Sequence, residues 1–174
     1  MPVSGFTIRP AAFADVPAIA KVHVETFIET HCAPIETHGF PEGAPKYPLR
    51  LMQWSSIFIK NDSRDFCFVI EEHGGDIVGF ARGIEPEEGT DALLNKIYIY
   101  RKYHGHGLGR WLLFIVAEEF VKRGCTQMHL FGEARNPSNG FYEHMGAEKT
   151  FAESGEFHGG YRWNDLRALV ALGP

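Results

Sequence analysis

Between Ile97 and Arg110 the chain reads Ile-Tyr-Ile-Tyr-Arg-Lys-Tyr-His-Gly-His-Gly-Leu-Gly-Arg. The apolar and aromatic residues that open this stretch predict a strand. Three glycines then alternate at Gly105, Gly107 and Gly109, and a helical pattern runs from Leu108 to about Arg123. Strand, glycine turn and helix in that order form a layout for holding a phosphate. Glycine lets backbone N–H groups converge on one hollow, and the helix start adds unpaired donors at the positive end of its dipole. Taken alone, the loop also reads as a tight strand-to-helix turn with no ligand.

Two phosphate-loop patterns fail here. A Walker loop ends in Gly-Lys-Ser/Thr, and no glycine of this loop precedes a lysine. A dinucleotide fingerprint needs a glycine three residues after its second one; those positions are Arg110 or Leu112. A metal site has no sequence support either. His104 and His106 lack a third ligand nearby, and Cys32, Cys67 and Cys125 are far apart. That cysteine usage fits a reducing, cytoplasmic setting without disulfides. The formal charge of −5 excludes a sequence-independent nucleic-acid binder and tilts a substrate toward cationic character. No run of about 18 apolar residues predicts a membrane span, and the N-terminus has no signal-peptide pattern. A length of 174 residues suits one domain with an ordinary core.

Along the chain, Phe6–Arg9 reads as a short strand. Asp15 is the expected N-cap of a helix carrying Val16, Ile19, Ala20, His23 and Phe27 on one stripe. On that stripe His23 reads as a packed core histidine. The Gly- and Pro-rich segment from His38 to Pro48 is a loop, and a helix is expected from about Pro48 to Lys60, with Trp54 as its core anchor. Asp65–Glu71 and Ile77–Gly83 flank His73-Gly74-Gly75-Asp76 as a hairpin. An acidic connection from Glu85 to Asp91 leads into a strand from Ala92 to Tyr100. The helix behind the glycine loop is apolar around most of its surface, hence largely buried, and Gly124 ends it. Thr126–Phe131 reads as a further strand, and Tyr161–Leu169 as a final one. Alternating strands and helices predict an α/β layer structure.

A second signature follows the loop by one strand: Asn136-Pro137-Ser138-Asn139-Gly140-Phe141-Tyr142-Glu143-His144-Met145-Gly146. Together with His104-Gly105-His106-Gly107-Leu108-Gly109, it resembles the GNAT superfamily of acyl-CoA-dependent N-acetyltransferases. The glycine loop resembles motif A, Arg/Gln-x-x-Gly-x-Gly/Ala, with His104 in place of Arg or Gln. The second stretch resembles the Asn…Phe-Tyr-Glu-x-x-Gly signature, in a bacterial subset with the tyrosine six residues after the asparagine. The opening Ile-Arg-Pro and the Arg50-x-x-x-Trp54 spacing are also similar to members of that family, so the resemblance covers nearly the whole chain.

The resemblance implies a mixed, mostly antiparallel sheet flanked by helices, with a splayed strand pair forming the acyl-CoA cleft, in a single acetyltransferase domain over residues 1–174. It implies acetyl-CoA as co-substrate and no metal. Ile97, Tyr98 and Ile99 would pair with the pantetheine amides as an extra strand would, and a backbone N–H of this strand would steady the thioester oxygen. His104, Gly105, His106, Gly107, Leu108, Gly109 and Arg110 would surround the pyrophosphate, with Arg101 and Lys102 near outer phosphates. Asn136 would bond the pantetheine arm or cap the short helix behind it. Phe27, Thr30 and His31 would border the acceptor groove. Tyr142 would be the general acid for the departing thiolate, its ordinary role being otherwise that of a core aromatic. No general base stands out; Glu85, His31 and His158 are candidates by residue type only.

The implied activity is acetyl transfer to an amine of a small molecule or peptide. A non-catalytic acyl-CoA-binding domain of the same fold is the alternative, and a nucleotide-binding loop would explain motif A but not the second signature. The resemblance also leaves room for a homodimer.

Overall fold

The computed structural model describes residues 3–31 and 46–174. Cys32 and most of the Gly/Pro-rich segment expected as a loop lie outside the described residues. A seven-stranded sheet has the order β1-β2-β3-β4-β5-β7-β6. Its strands are β1 (Phe6–Pro10), β2 (Asp65–Glu72), β3 (Ile77–Ile84), β4 (Asp91–Ile99), β5 (Gln127–Leu130), β6 (Glu148–Thr150) and β7 (Gly160–Trp163). Every neighbouring pair is antiparallel except β4–β5. The mixed, mostly antiparallel α/β architecture is the one expected.

Two helices cover one face and one long helix covers the other. On the first face α1 (Val16–His31) and α2 (Tyr47–Lys60) pack over Val69 and Phe80, burying Val16, Ile19, Ala20, Val22 and Trp54. On the second, α3 (Leu108–Lys122) buries Leu108, Leu112, Leu113, Val116, Ala117 and Phe120 against Ile70, Ala81, Leu94 and Met128. The near-continuous apolar run of α3 is what a helix buried on most of its surface requires. It ends at Arg123 and Gly124, where the left-handed φ of +87° suits glycine. Trp54 and His23 are core residues, as their positions suggested. The Trp54 indole Nε1–H donates to His23 Nδ1 at 3.1 Å, so the imidazole proton sits on Nε2. Burial and the charges of Arg50 and Lys96 push the His23 pKa down to about 3, keeping the ring neutral.

Three local details differ from the sequence expectation. Asp15 does not cap α1 forward. Its carboxylate accepts from the Ala12 N–H at 2.8 Å and pairs with Arg9 at 2.7 Å, closing a 3-10 turn over Phe13–Asp15. A nearby guanidinium and an N–H offset behind it draw the side chain backwards. The short strand β6, Glu148–Thr150, carries no hydrophobic alternation and was not anticipated. The expected strand over Tyr161–Leu169 is half strand, half helix: β7 stops at Trp163 and α5 runs from Leu166 to Ala171. Asp165 causes the switch, its side chain accepting from the N–H groups of Arg167 and Ala168 as a helix N-cap. Leu166 and Leu169, three apart, then share a buried helical face against α3. Asp165→Ala should lower stability by about 0.5–2 kcal/mol, the usual worth of such a cap, read as a lower urea midpoint at unchanged slope.

Strand β4 contains a β-bulge. Arg82 pairs with Lys96 and Gly83 with Leu94, so Asn95 is the extra residue. The alternation changes parity there. Ala92 and Leu94 face α3, and beyond the bulge Ile97 and Ile99 do. Tyr98 then falls on the α1–α2 side, packed with Phe80, and Lys96 shares its parity.

Candidate active site

The parallel ladder between β4 and β5 holds only at Asp91–Gln127, Ala92–Met128 and Leu93–His129. Beyond Leu93 the two strands part. The gap is a cleft of about 370 Å³, with Leu94 to Tyr98 on one wall and Leu130 to Glu133 on the other. Phe27 of α1, Asn136 and Tyr142 complete it. The splayed strand pair of the sequence expectation is therefore present. The Tyr100 N–H donates to Val78 O at 3.1 Å, which fixes the phase of the antiparallel β3–β4 ladder. By alternation, the backbone groups of Ile97 and Ile99 then point to the open edge, where an extended ligand could pair with them.

Past β4, a 3-10 turn over Arg101–Tyr103 leads to the glycine loop. Gly105 and Gly107 have φ of +79° and +82°, a region that side chains with a Cβ rarely enter. Gly107 is the N-cap of α3, and its carbonyl accepts the Trp111 N–H at 3.0 Å. Gly109 serves differently: it lies within α3, and a Cβ there would stand 3.4 Å from the Phe141 ring. The loop and the residue before Tyr142 are thus in contact. The free N–H groups at the start of α3 and the two left-handed glycines make a fitting place for a pyrophosphate.

His104 is exposed and folds back on β4. Its Nε2 lies 2.9 Å from Ile99 O, and His106 Nδ1 lies 3.0 Å from His104 O. A carbonyl only accepts, so both ring nitrogens donate. His104 thereby satisfies the last carbonyl of β4 on its open side. Of the other cations named for phosphate contact, Arg110 donates to the Leu172 and Gly173 carbonyls. Arg101 is bound to Glu29 through its backbone N–H and guanidinium, and Lys102 lies over the Tyr103 ring at 4.8 Å.

Tyr142 sits on α4 (Asn139–His144) and is 8% exposed. Its ring meets those of Phe141, Tyr161 and Trp163 at 5.5, 5.4 and 6.2 Å. Two bonds pin α4 to β7: Tyr161 O–H donates to Glu143 at 2.8 Å, and Trp163 Nε1–H to Met145 O at 2.8 Å. The Tyr142 hydroxyl has no hydrogen-bond partner among the described residues, and burial raises its pKa above the usual 10.0. Asn136 accepts the Ser138 N–H at 2.8 Å, an Asx turn that shapes the approach to α4, and it lines the cleft as well.

Of the acceptor-side candidates, Phe27 lines the cleft, while the side chain of His31 lies outside the described residues. Glu85 is engaged by Arg123 at 2.8 Å and His158 is 69% exposed beside Glu156; neither borders the cleft. Glu133 and Phe131 do border it. Sequence reasoning passed over both, because an irregular loop after a strand has no periodicity that would aim a side chain. Among the described residues no three His, Cys, Asp or Glu side chains gather as metal ligands, and no helix is long and apolar enough to cross a membrane.

Residues 30–147 match the model of the acetyltransferase (GNAT) family, and the chain belongs to that family. It is 31% identical over 177 residues to the uncharacterized N-acetyltransferase YuaI of Bacillus subtilis, covering 95% of this chain and 97% of that protein. The fold is similar to that of the PaiA N-acetyltransferase of Thermoplasma acidophilum in complex with coenzyme A. The TM-score is 0.74 at 15% identity, over 91% of this chain and 98% of that one. YncA from Salmonella typhimurium, a putative acetyltransferase solved with acetyl-CoA, gives 0.66 at 20% identity, over 92% and 94%.

Proposed function

We propose that the protein, as one acetyltransferase domain over residues 1–174, transfers the acetyl group of acetyl-CoA directly to an amine of a small molecule or peptide, with Tyr142 as general acid. The observation that carries this reading is Tyr142 itself: the residue is 8% exposed and lines the cleft, and its hydroxyl has no hydrogen-bond partner among the described residues. A structural tyrosine of that burial ordinarily has its O–H paired.

Acetyl-CoA supplies an activated acyl thioester. The loop from His104 to Arg110 receives its phosphates through backbone donors, and the open backbone edge at Ile97 and Ile99, on either side of Tyr98, aligns the pantetheine arm, with Asn136 beside it. As the amine nitrogen bonds to the acyl carbon, the C–S bond breaks with its electron pair on sulfur, and the amine passes a proton through water to solvent, from which the tyrosine is reprotonated after each turnover. The Tyr142 phenol gives its own proton to the sulfur. Burial keeps that phenol protonated until needed, and an ordinary thiol is the stronger acid, about 8.5 against about 10.

Calorimetry should show one coenzyme A bound per chain, with the affinity undiminished in EDTA, and acetyl-CoA should release free thiol when an acceptor amine is added. Absence of coenzyme A binding would sink the reading as a whole. Binding without turnover of any amine would leave a non-catalytic acyl-CoA-binding domain.

A further inference from the structure

We infer that the acceptor amine carries an acid group, carboxylate or phosphate, which Lys96 and Arg50 receive on the α1–α2 side of the cleft. This rests on the acetyl-transfer reading of the same cleft.

The bulge at Asn95 gives Lys96 the parity of Tyr98, toward α1 and α2, and both residues line the cleft with Phe27. Lys96 stands directly opposite Arg82 on β3. Like charges in that arrangement repel. Arg82 is neutralised: Asp65 accepts from it at 2.8 and 3.0 Å, and Asn95 Oδ1 at 3.0 Å. Lys96 is not. No acidic side chain among the described residues pairs with it, and none pairs with Arg50.

Arg50 is the second cation of the group. It comes from the first turn of α2, and its Nη1 donates to the neutral Gln53 Oε1 at 2.8 Å. Its Nε is buried and has no acceptor. An orphaned guanidinium donor is costly unless something accepts from it. Arg50 lies one helical turn before Trp54, whose indole meets His23 and Phe80, and His23 meets Tyr98 at 5.0 Å, so Arg50 enters beside the same patch, in keeping with the effect of its charge on Lys96, His23 and Tyr98. Burial, with the charges of Arg50 and Arg82, holds Lys96 below the ordinary lysine range.

Composition does not explain the missing carboxylates. The chain has 22 Asp and Glu against 17 Lys and Arg, yet among the described residues Lys96 is the only charged side chain lining this wall of the cleft. Among the described residues the one carboxylate bordering the cleft, Glu133, belongs to the loop after β5, the opposite wall. The local charge is therefore opposite in sign to the overall balance that suggested a cationic acceptor. A half-buried ammonium and a buried guanidinium N–H without acceptors are complementary to an acid group, which would remove their mutual repulsion.

The test uses matched acceptors with acetyl-CoA, followed by thiol release. The set is α-amino acids, their primary amides, the corresponding decarboxylated amines, and phosphoethanolamine for a phosphate. An acid-bearing acceptor should show kcat/KM about tenfold or more above its uncharged partners, as one charge-assisted contact implies. Lys96→Met and Arg50→Met should each raise KM for that acceptor about tenfold, without the same rise for the amides, and with coenzyme A affinity as in the wild type. In parallel, N-acetylated amino acids and their amides are titrated into the protein saturated with coenzyme A, and the acids should bind more tightly. Amides and amines used as well as the acids, or a KM rise equal across the set, would overturn the inference while acetyl transfer stood. Thiol release with no amine at all would overturn acetyl transfer instead. In that case, acids binding no tighter than amides would overturn the inference too.

Discussion

Tyr142→Phe is expected to lower acetyl-CoA turnover by about 10²–10⁴-fold, the range for loss of one positioned acid. The substitution keeps the ring and its contacts with Phe141, Tyr161 and Trp163, and removes only the hydroxyl. No hydrogen bond among the described residues is lost with it, so folding stability should hardly change. Coenzyme A affinity by calorimetry should also be close to that of the wild type. The pH profile gives a second readout. The phenol is active while protonated, and burial has moved its pKa above 10.0. Tyr142 ionisation should therefore cause no loss of rate until the pH exceeds about 10. Turnover of the mutant within threefold of wild type would return Tyr142 to the core and favour a direct protonation of the thiolate by water.

The second large effect is expected at Gly107. Gly107→Val must place a β-branched residue at φ near +82°, costing on the order of 1–3 kcal/mol in backbone strain. The same side chain would intrude on the hollow at the start of α3. Coenzyme A affinity should fall on the order of 10²-fold from the blocked backbone donors and the displaced turn together. His104→Ala should do less. The His104 ring holds Ile99 O, and its backbone stays in place without it. The upper case is loss of one charge-assisted contact to phosphate, about 1.5–3 kcal/mol. Both variants require circular dichroism to show that they fold. If both do, and His104→Ala is the more damaging, the backbone cradle is not the principal phosphate ligand and the imidazole is.

Much of the frame was legible because it rests on periodicity and glycine. The α3 stripe, the hairpin of β2 and β3, and the strand before the loop each carry a pattern with one structural solution. Trp54 and His23 could be assigned to the core, since large and polar-tipped residues on an apolar stripe usually pack there. What was not legible depends on contacts far apart in sequence. Asp15 bends back because Arg9 lies beside it, and nothing local distinguishes that from a forward cap. Asp165 lies within a run that reads as one strand, and only its bonds to Arg167 and Ala168 reveal that a helix begins. Tyr142, which the resemblance put forward, lines the cleft, whereas Glu133 and Phe131 arrive there through an aperiodic loop. The lack of a counter-charge at Lys96 is visible only once Arg50 and Arg82 are brought beside it.

One residue in β4 sets the arithmetic for the rest of the strand. Asn95 is the odd member of an otherwise two-by-two count. Delete it, and every side chain after it exchanges sides. Lys96 would be driven under the apolar cover of α3, while Ile97 and Ile99 would be turned toward the cations of α2 and β3. The strand thus behaves like a zip with one tooth doubled, and the loop, the cleft wall and the core all inherit their alignment from that tooth. Length changes tolerated almost anywhere in the Glu85–Thr90 connection would be errors of frame here, read out at once in folding and in the shape of the site.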